Sequence, residues 1–188
     1  ERADPYGRAL VRDGMNVIPI NDAWFESDHQ MRDMDKKGFD LRLVSLTTPN
    51  LYIFEPEDQA EIAKRVNDET IAFSRQQPDR LKTLASLPLG DVEGALKELD
   101  RVKDVPEVVG LSIGSNVAGV ALSDERFESI WARINELRMP VVEHPMHPSS
   151  AQVEDVEGDG RRLDELQQVE GDFEVVVDAV SVGCEDRR

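Results

Sequence analysis

Leu81-Lys82-Thr83-Leu84-Ala85-Ser86-Leu87 is a short apolar run closed by Pro88, and Val108-Val109-Gly110-Leu111-Ser112-Ile113 is a second one. Between them Val92, Ala95, Leu96, Leu99 and Val102 recur at helical spacing behind Asp91, whose carboxylate suits an N-cap. The outer runs are too short for helices and rich in the residues strands favour. Strand, helix, strand in that order makes the two strands parallel, because a crossover of this length carries the chain back to its starting end.

The same unit repeats in both directions. Upstream, Pro56 fits the first turn of a helix, with Glu57 and Asp58 at its positive end. Ala60, Ala63, Val66, Asn67 and Ile71 form its stripe through about Gln76, and Pro78-Asp79-Arg80 breaks it. Phe39 to Leu46 reads as a strand running into Thr47-Thr48-Pro49. Before it, a helix from about Ser27 carries Met31 and Met34 on one face and stops at Gly38 behind Lys36 and Lys37. Downstream, Gly114, Asn116 and Gly119 suggest a loop. Ser123 or Asp124 then caps a helix with Phe127, Ile130, Trp131, Ile134 and Leu137 on one side. Met139 to His144 is a fourth strand, ending in Pro145-Met146-His147-Pro148. Residues 1–26, punctuated by Pro5, Gly7, Gly14 and Pro19, read as an irregular lead-in.

Past Ser150 this rhythm stops. Residues 151–188 hold 12 acidic and 4 basic residues, and only Phe173 to Val177 reads as a strand. Asp155 to Asp164 reads as solvated or disordered. The expected organisation is an α/β segment over 1–150, an open sheet or part of a barrel, and an acidic tail over 151–188.

The 188 residues carry 39 acidic and 22 basic side chains, a net charge of −17. Such a surface disfavours nucleic-acid phosphates and anionic membranes. No run of 18 apolar residues is present, and the first residues lack the apolar core of a signal peptide. The single cysteine, Cys184, forms no internal disulfide, which fits a reducing compartment and a cytoplasmic location. The glycines follow no phosphate-binding spacing, so no nucleotide site is expected. A nucleophilic serine or cysteine is not expected either, because no Gly-x-Ser-x-Gly elbow exists and Cys184 has no histidine nearby in sequence.

Of the three histidines, His29 sits in a polar helix start and reads as exposed. His144 stands at the C-terminal end of an apolar strand, where α/β folds place their active-site side chains. It is a candidate metal ligand or acid–base group. His147, three residues on, is a candidate for contact with substrate, as are the strand-end Thr47 and the loop residue Asn116. Glu143 should point to the face opposite His144. Trp24, Met15, Met31 and Met34 read as packing residues.

Taken together, Met34-Asp35-Lys36-Lys37-Gly38-Phe39-Asp40 into Val44-Ser45-Leu46-Thr47-Thr48-Pro49, Pro78-Asp79-Arg80 with Leu84-Ala85-Ser86-Leu87-Pro88-Leu89, Gly110 to Gly119, Leu122 to Phe127, and Trp131 through Met139-Pro140-Val141-Val142-Glu143-His144-Pro145 resemble an established family in order and content. It is the amidohydrolase-related family that includes aminocarboxymuconate-semialdehyde decarboxylase and similar aromatic-acid decarboxylases. The resemblance covers about residues 27–148. It implies an α/β fold, a partial (β/α)8 TIM barrel of the metal-dependent hydrolase type, truncated at both ends, with its strands matching the second to fifth of the family. It further implies one divalent metal, Zn2+ or Mn2+, a small aromatic or unsaturated carboxylic acid as substrate, and often a homodimer. His144 matches the fifth-strand metal ligand. The family's His-x-His pair and its later histidine and aspartate have no match here, so catalytic residues stay unassigned. The chain alone is expected to bind metal poorly and not to turn over.

The first reading is therefore a fragment of a divalent-metal-dependent decarboxylase (carboxy-lyase). A metal-dependent hydrolase of the same family and a non-catalytic α/β interaction module are the alternatives. A complete small site built from His144, His147 and Asp22 or Glu26 is a further reading. Half a barrel also leaves strand edges open, to be closed by a partner, by dimerisation or by a strand of the tail.

Overall fold

The structure, a computed structural model, describes residues 8–12, 15–20, 22–46, 50–146 and 177–182, with side chains over 24–46 and 50–146. Four βα units run through its centre. Helix α1 (Ser27–Lys37) ends where Gly38 turns left-handed at φ 74°, with Lys36 and Lys37 in its last turn. Strand β3 (Leu41–Leu46), helix α2 (Pro56–Ser74), strand β4 (Leu81–Ser86), helix α3 (Val92–Val102) and strand β5 (Val108–Gly114) follow. A small hairpin, β6 (Asn116–Val117) and β7 (Val120–Ala121), precedes helix α4 (Glu128–Leu137) and strand β8 (Val141–His144). Pro56 opens α2, and the Asp91 carboxylate accepts from the Gly94 N–H at the start of α3, as read from sequence. At α4 the choice of cap falls on Asp124, which accepts from Arg126 N–H and starts a 3-10 turn (Glu125–Phe127) that leads into the helix.

Strands β3, β4, β5 and β8 are parallel and adjacent in the order β8-β5-β4-β3. The sheet is open and curled, half of a (β/α) barrel: the alternating pattern predicted parallel strands under helices, and the family resemblance implied the partial barrel. Helices α2, α3 and α4 cover one face. Ala63, Val66 and Ile71 of α2, Ala95, Leu99 and Val102 of α3, and Ile130 and Ile134 of α4 pack on Ala85, Leu111 and Ile113. A second cluster joins Met34 of α1 to Val44 and Leu81, with Met31, Phe39 and Phe73 around it. Burying each of these large side chains contributes about 1.5–3 kcal/mol.

Two local expectations are corrected, and a third, in the tail, falls mostly outside the described residues. Residues 1–26, read as irregular, hold an antiparallel hairpin, β1 (Arg8–Arg12) with β2 (Met15–Ile20), and a 3-10 turn (Asp22–Phe25). Pro19 looked like a breaker, but a two-stranded ribbon has only edge strands, which tolerate a residue without an N–H. The loop after β5 is the β6–β7 hairpin. Its turn residues Ala118 and Gly119 both have positive φ, 48° and 82°, the pattern of a type I′ turn. In the tail the described strand is β9 (Val177–Val182), later than Phe173 to Val177. Asp178 interrupts the apolar run there, and an edge strand tolerates a charge. Residues 155–164 and 173–176 lie outside the described residues.

Strand β9 runs antiparallel along β3, with Leu41 opposite Val182 and Leu46 opposite Val177. The acidic tail and the barrel segment therefore share one sheet. Among the described residues, the outer edge of β8 pairs with no strand. Val141 and Val142 on it are 37% and 36% exposed.

Candidate active site at the strand ends

The parallel register decides which side chains meet. Thr83 bonds to Ser74 and to the Thr70 carbonyl of α2, and Ala85 lies in the helix-covered core. Leu84 and Ser86 therefore lie on the face away from the helices. By the same alternation, Leu111 and Ile113 pack under the helices while Gly110, Ser112 and Gly114 lie on the other face. Ser86 aligns with Ser112, Ser112 with Val142, and Gly114 with His144. The helix-free face thus ends in a row of Ser86, Ser112 and Val142, with His144 one step above.

His144 is half-buried at the end of β8. Its Nδ1 lies 3.0 Å from the carbonyl oxygen of Pro145. A carbonyl only accepts, so Nδ1 is the donor in this contact, and a neutral ring in this orientation has its lone pair on Nε2. Metal-binding histidines use this tautomer, with one nitrogen donating to a carbonyl and the other free to ligate. The turn beyond is fixed by Ser115, whose N–H donates to the His144 carbonyl at 2.9 Å and whose Oγ accepts from the Met146 N–H at 2.9 Å. Glu143 is exposed and alternates to the opposite face, as expected.

Two residues near this end carry no obvious signal in sequence. Tyr52 lies in the connection after β3 and is buried against Gly114; a Cβ on that glycine would stand 3.2 Å from the Tyr52 ring and 2.6 Å from Met146. Burial pushes the Tyr52 phenol well above its ordinary value, and the opposing Gly114 N–H bond does not offset it. Tyr52 therefore stays neutral. Asn67 sits in the buried stripe of α2, and a polar residue in an apolar stripe is the one clue to its role. Its Nδ2 donates to the Ser86 carbonyl at 2.9 Å and to Glu98 Oε1 at 2.6 Å, while its Oδ1 accepts from the Ser86 N–H at 2.8 Å. Arg101 grips both oxygens of Glu98 at 2.7 Å and reaches Asp68 at 2.8 Å. The amide takes the place of a neighbouring strand for one residue and locks the end of β4.

The remaining candidates are placed as follows. Asn116 Oδ1 accepts from the Gly119 N–H at 2.9 Å, inside the β6–β7 turn. His147 and Thr47 lie outside the described residues. His29 is exposed on α1, as read from sequence. Glu26 is exposed ahead of α1, and its side chain makes no cap bond. Trp131 packs against the core, and its Nε1 donates to the Leu122 carbonyl at 2.8 Å. Arg42 turns to the helix side and pairs with Asp33 at 2.8 Å. Among the described residues, no three His, Cys, Asp or Glu side chains come together to hold a metal ion. Of the candidate ligands read from sequence, His144 stands at a described strand end without a second one beside it among the described residues.

Parallel strands under helices, curling as half of a (β/α) barrel, give the fold class within which the chain falls. The Amidohydrolase family model matches residues 20–169, and the chain belongs to that family. The matched span begins before and ends after the 27–148 segment that carries the sequence resemblance. Gamma-resorcylate decarboxylase of Rhizobium radiobacter is 29% identical over 153 residues, 73% of this chain and 46% of that protein. The 2-amino-3-carboxymuconate-6-semialdehyde decarboxylase of Dictyostelium discoideum is 27% identical over 138 residues, 72% of this chain and 38% of that protein. Among solved structures, the dihydroxybenzoic acid decarboxylase of Polaromonas sp. JS666, with bound manganese and the inhibitor 2-nitroresorcinol, superposes with a TM-score of 0.62 at 26% identity. That superposition covers 67% of this chain and 40% of that one. The chain spans less than half the length of these relatives.

Proposed function

We propose that this chain is part of a divalent-metal-dependent carboxy-lyase acting on a small aromatic carboxylic acid, with His144 as one of its metal ligands. The observation that carries the reading is His144 itself, presented from a strand end with Nε2 available, in a chain whose relatives are aromatic-acid decarboxylases. A bound Mn2+ or Zn2+ would polarise substrate oxygens in the whole protein. On this reading His144 would supply one of the ligands through Nε2, with Nδ1 turned to the Pro145 carbonyl. A hydrolase is the second reading, favoured by the breadth of the family. The cytoplasmic location belongs to the same proposal and rests on the lone Cys184, and a boundary near residue 150 is proposed as one of composition, since β9 joins the sheet of the preceding segment.

The test is calorimetric titration of the purified chain with MnCl2 and ZnCl2, beside His144→Ala, with gamma-resorcylate turnover followed by release of carbon dioxide. Weak metal binding that disappears in the variant, without turnover, is the expected result. Equal binding by parent and variant would remove His144 from the metal site.

A further inference from the structure

The Ser86 hydroxyl is buried, the residue being 1% exposed, and among the described residues it has no hydrogen-bond partner. Most buried hydroxyls are satisfied, and leaving one unpaired costs about 1–3 kcal/mol. Alanine would fill this strand position without that cost. Nor is the hydroxyl there by slack in the backbone. Both main-chain groups of Ser86 are held by Asn67, and Asn67 is held in turn by Glu98 and Arg101. The strand end is rigid, and the side chain it presents is short, polar and unpaired.

Its surroundings indicate what it is kept for. Ser86 lies on the helix-free face at the C-terminal end of β4, beside Ser112 and in the row just below His144. On that face Ser112 and two glycines, Gly110 and Gly114, stand on β5 beside Leu84 and Ser86 of β4, whereas Ala85, Leu111 and Ile113 pack under the helices. A polar hydroxyl held rigid and left unsatisfied at a strand end is the arrangement expected of a ligand contact, where stability is given up for binding.

We infer that Ser86 is a substrate-binding residue whose Oγ hydrogen-bonds an oxygen of a small aromatic carboxylate seated on the helix-free face beside His144. The inference rests on the proposed function and assigns to that site a contact made by the chain's own hydroxyl. It makes a paired prediction that a structural hydroxyl does not. Removing it should weaken ligand binding and leave the free protein as stable or more stable.

The experiment compares the parent chain with Ser86→Ala and Ser86→Thr. Thermal unfolding is measured without ligand, and binding of gamma-resorcylate is followed by chemical-shift titration in NMR. For Ser86→Ala the expected result is an unchanged or higher Tm and binding weakened about three- to tenfold, the loss of one hydrogen bond. Ser86→Thr, which keeps the hydroxyl, should recover at least part of the affinity. A lowered Tm in Ser86→Ala would show that the hydroxyl is structural and overturn the inference. Unchanged affinity in Ser86→Ala would overturn it while leaving the proposed function standing. Absence of binding by the parent chain would overturn the inference together with the reading of this face as a substrate site.

Discussion

Arg42 and Asp33 show how a single pair ties a strand to the helix before it. Arg42 is nearly buried at the start of β3, and its guanidinium donates to Gln30 and to Asp33 of α1. The Arg42 hydrogen bond, then that of Lys37, holds the Asp33 carboxyl below its ordinary value of 3.8. A carboxyl lowered in the folded state stabilises the fold fully above its unfolded value and loses that contribution as pH falls through the folded one. Acidification below about pH 4 should therefore lower Tm in part through Asp33, and Asp33→Asn should flatten the slope of Tm between pH 5 and pH 3. Identical slopes in parent and variant would show that this carboxyl does not report on folding. Arg80 works differently. It donates to the carbonyls of Phe39 and Asp40 and to Asp35, so the Pro78-Asp79-Arg80 motif fastens the turn ahead of β3. Arg80 and these partners lie in two separate sequence motifs, and the fold joins them across 40 to 45 positions.

Strand β9 is the element whose role depends most on the fold. It lies antiparallel on β3 and covers an edge that would otherwise present unpaired N–H and C=O groups along Leu41–Leu46. Ending the chain at residue 176 should expose β3 and produce concentration-dependent association, visible by light scattering after size-exclusion chromatography. A shortened chain that stayed monomeric and folded would show that the β3 edge needs no cover. The helices were legible because each has its own stripe and end signals, from Pro56 to Asp91 to Gly38. The β6–β7 hairpin was not, since a two-residue strand has no periodicity to read and Ala118 at positive φ is an unusual choice.

At the scale of the whole molecule, charge sets the balance. A net −17 on 188 residues repels itself. The ion pairs are mostly exposed, as in Lys64–Asp68 and Lys97–Glu93, and such pairs contribute little each. Screening should therefore relieve more repulsion than it removes attraction. Raising NaCl from about 0.1 M to about 1 M shortens the screening length from about 10 Å to about 3 Å. Tm should rise by about 2–5 °C, measured by calorimetry. A fall instead would mean that the paired network, centred on Arg101 with Glu98 and Asp68, outweighs the net repulsion.

The sequence by itself determined the parallel βα architecture, the caps and the strand end that carries His144, because these follow from local spacing and from residue types acting within one or two turns of chain. Only the tertiary structure decided that Asn67 locks Ser86, that Tyr52 lies against Gly114, and that β9 seals β3. Each of these joins residues far apart in sequence through a contact that no periodic pattern encodes. The Ser86 hydroxyl belongs to the same group: in sequence it is one serine in an apolar strand, and it becomes informative only where folding buries it without a partner.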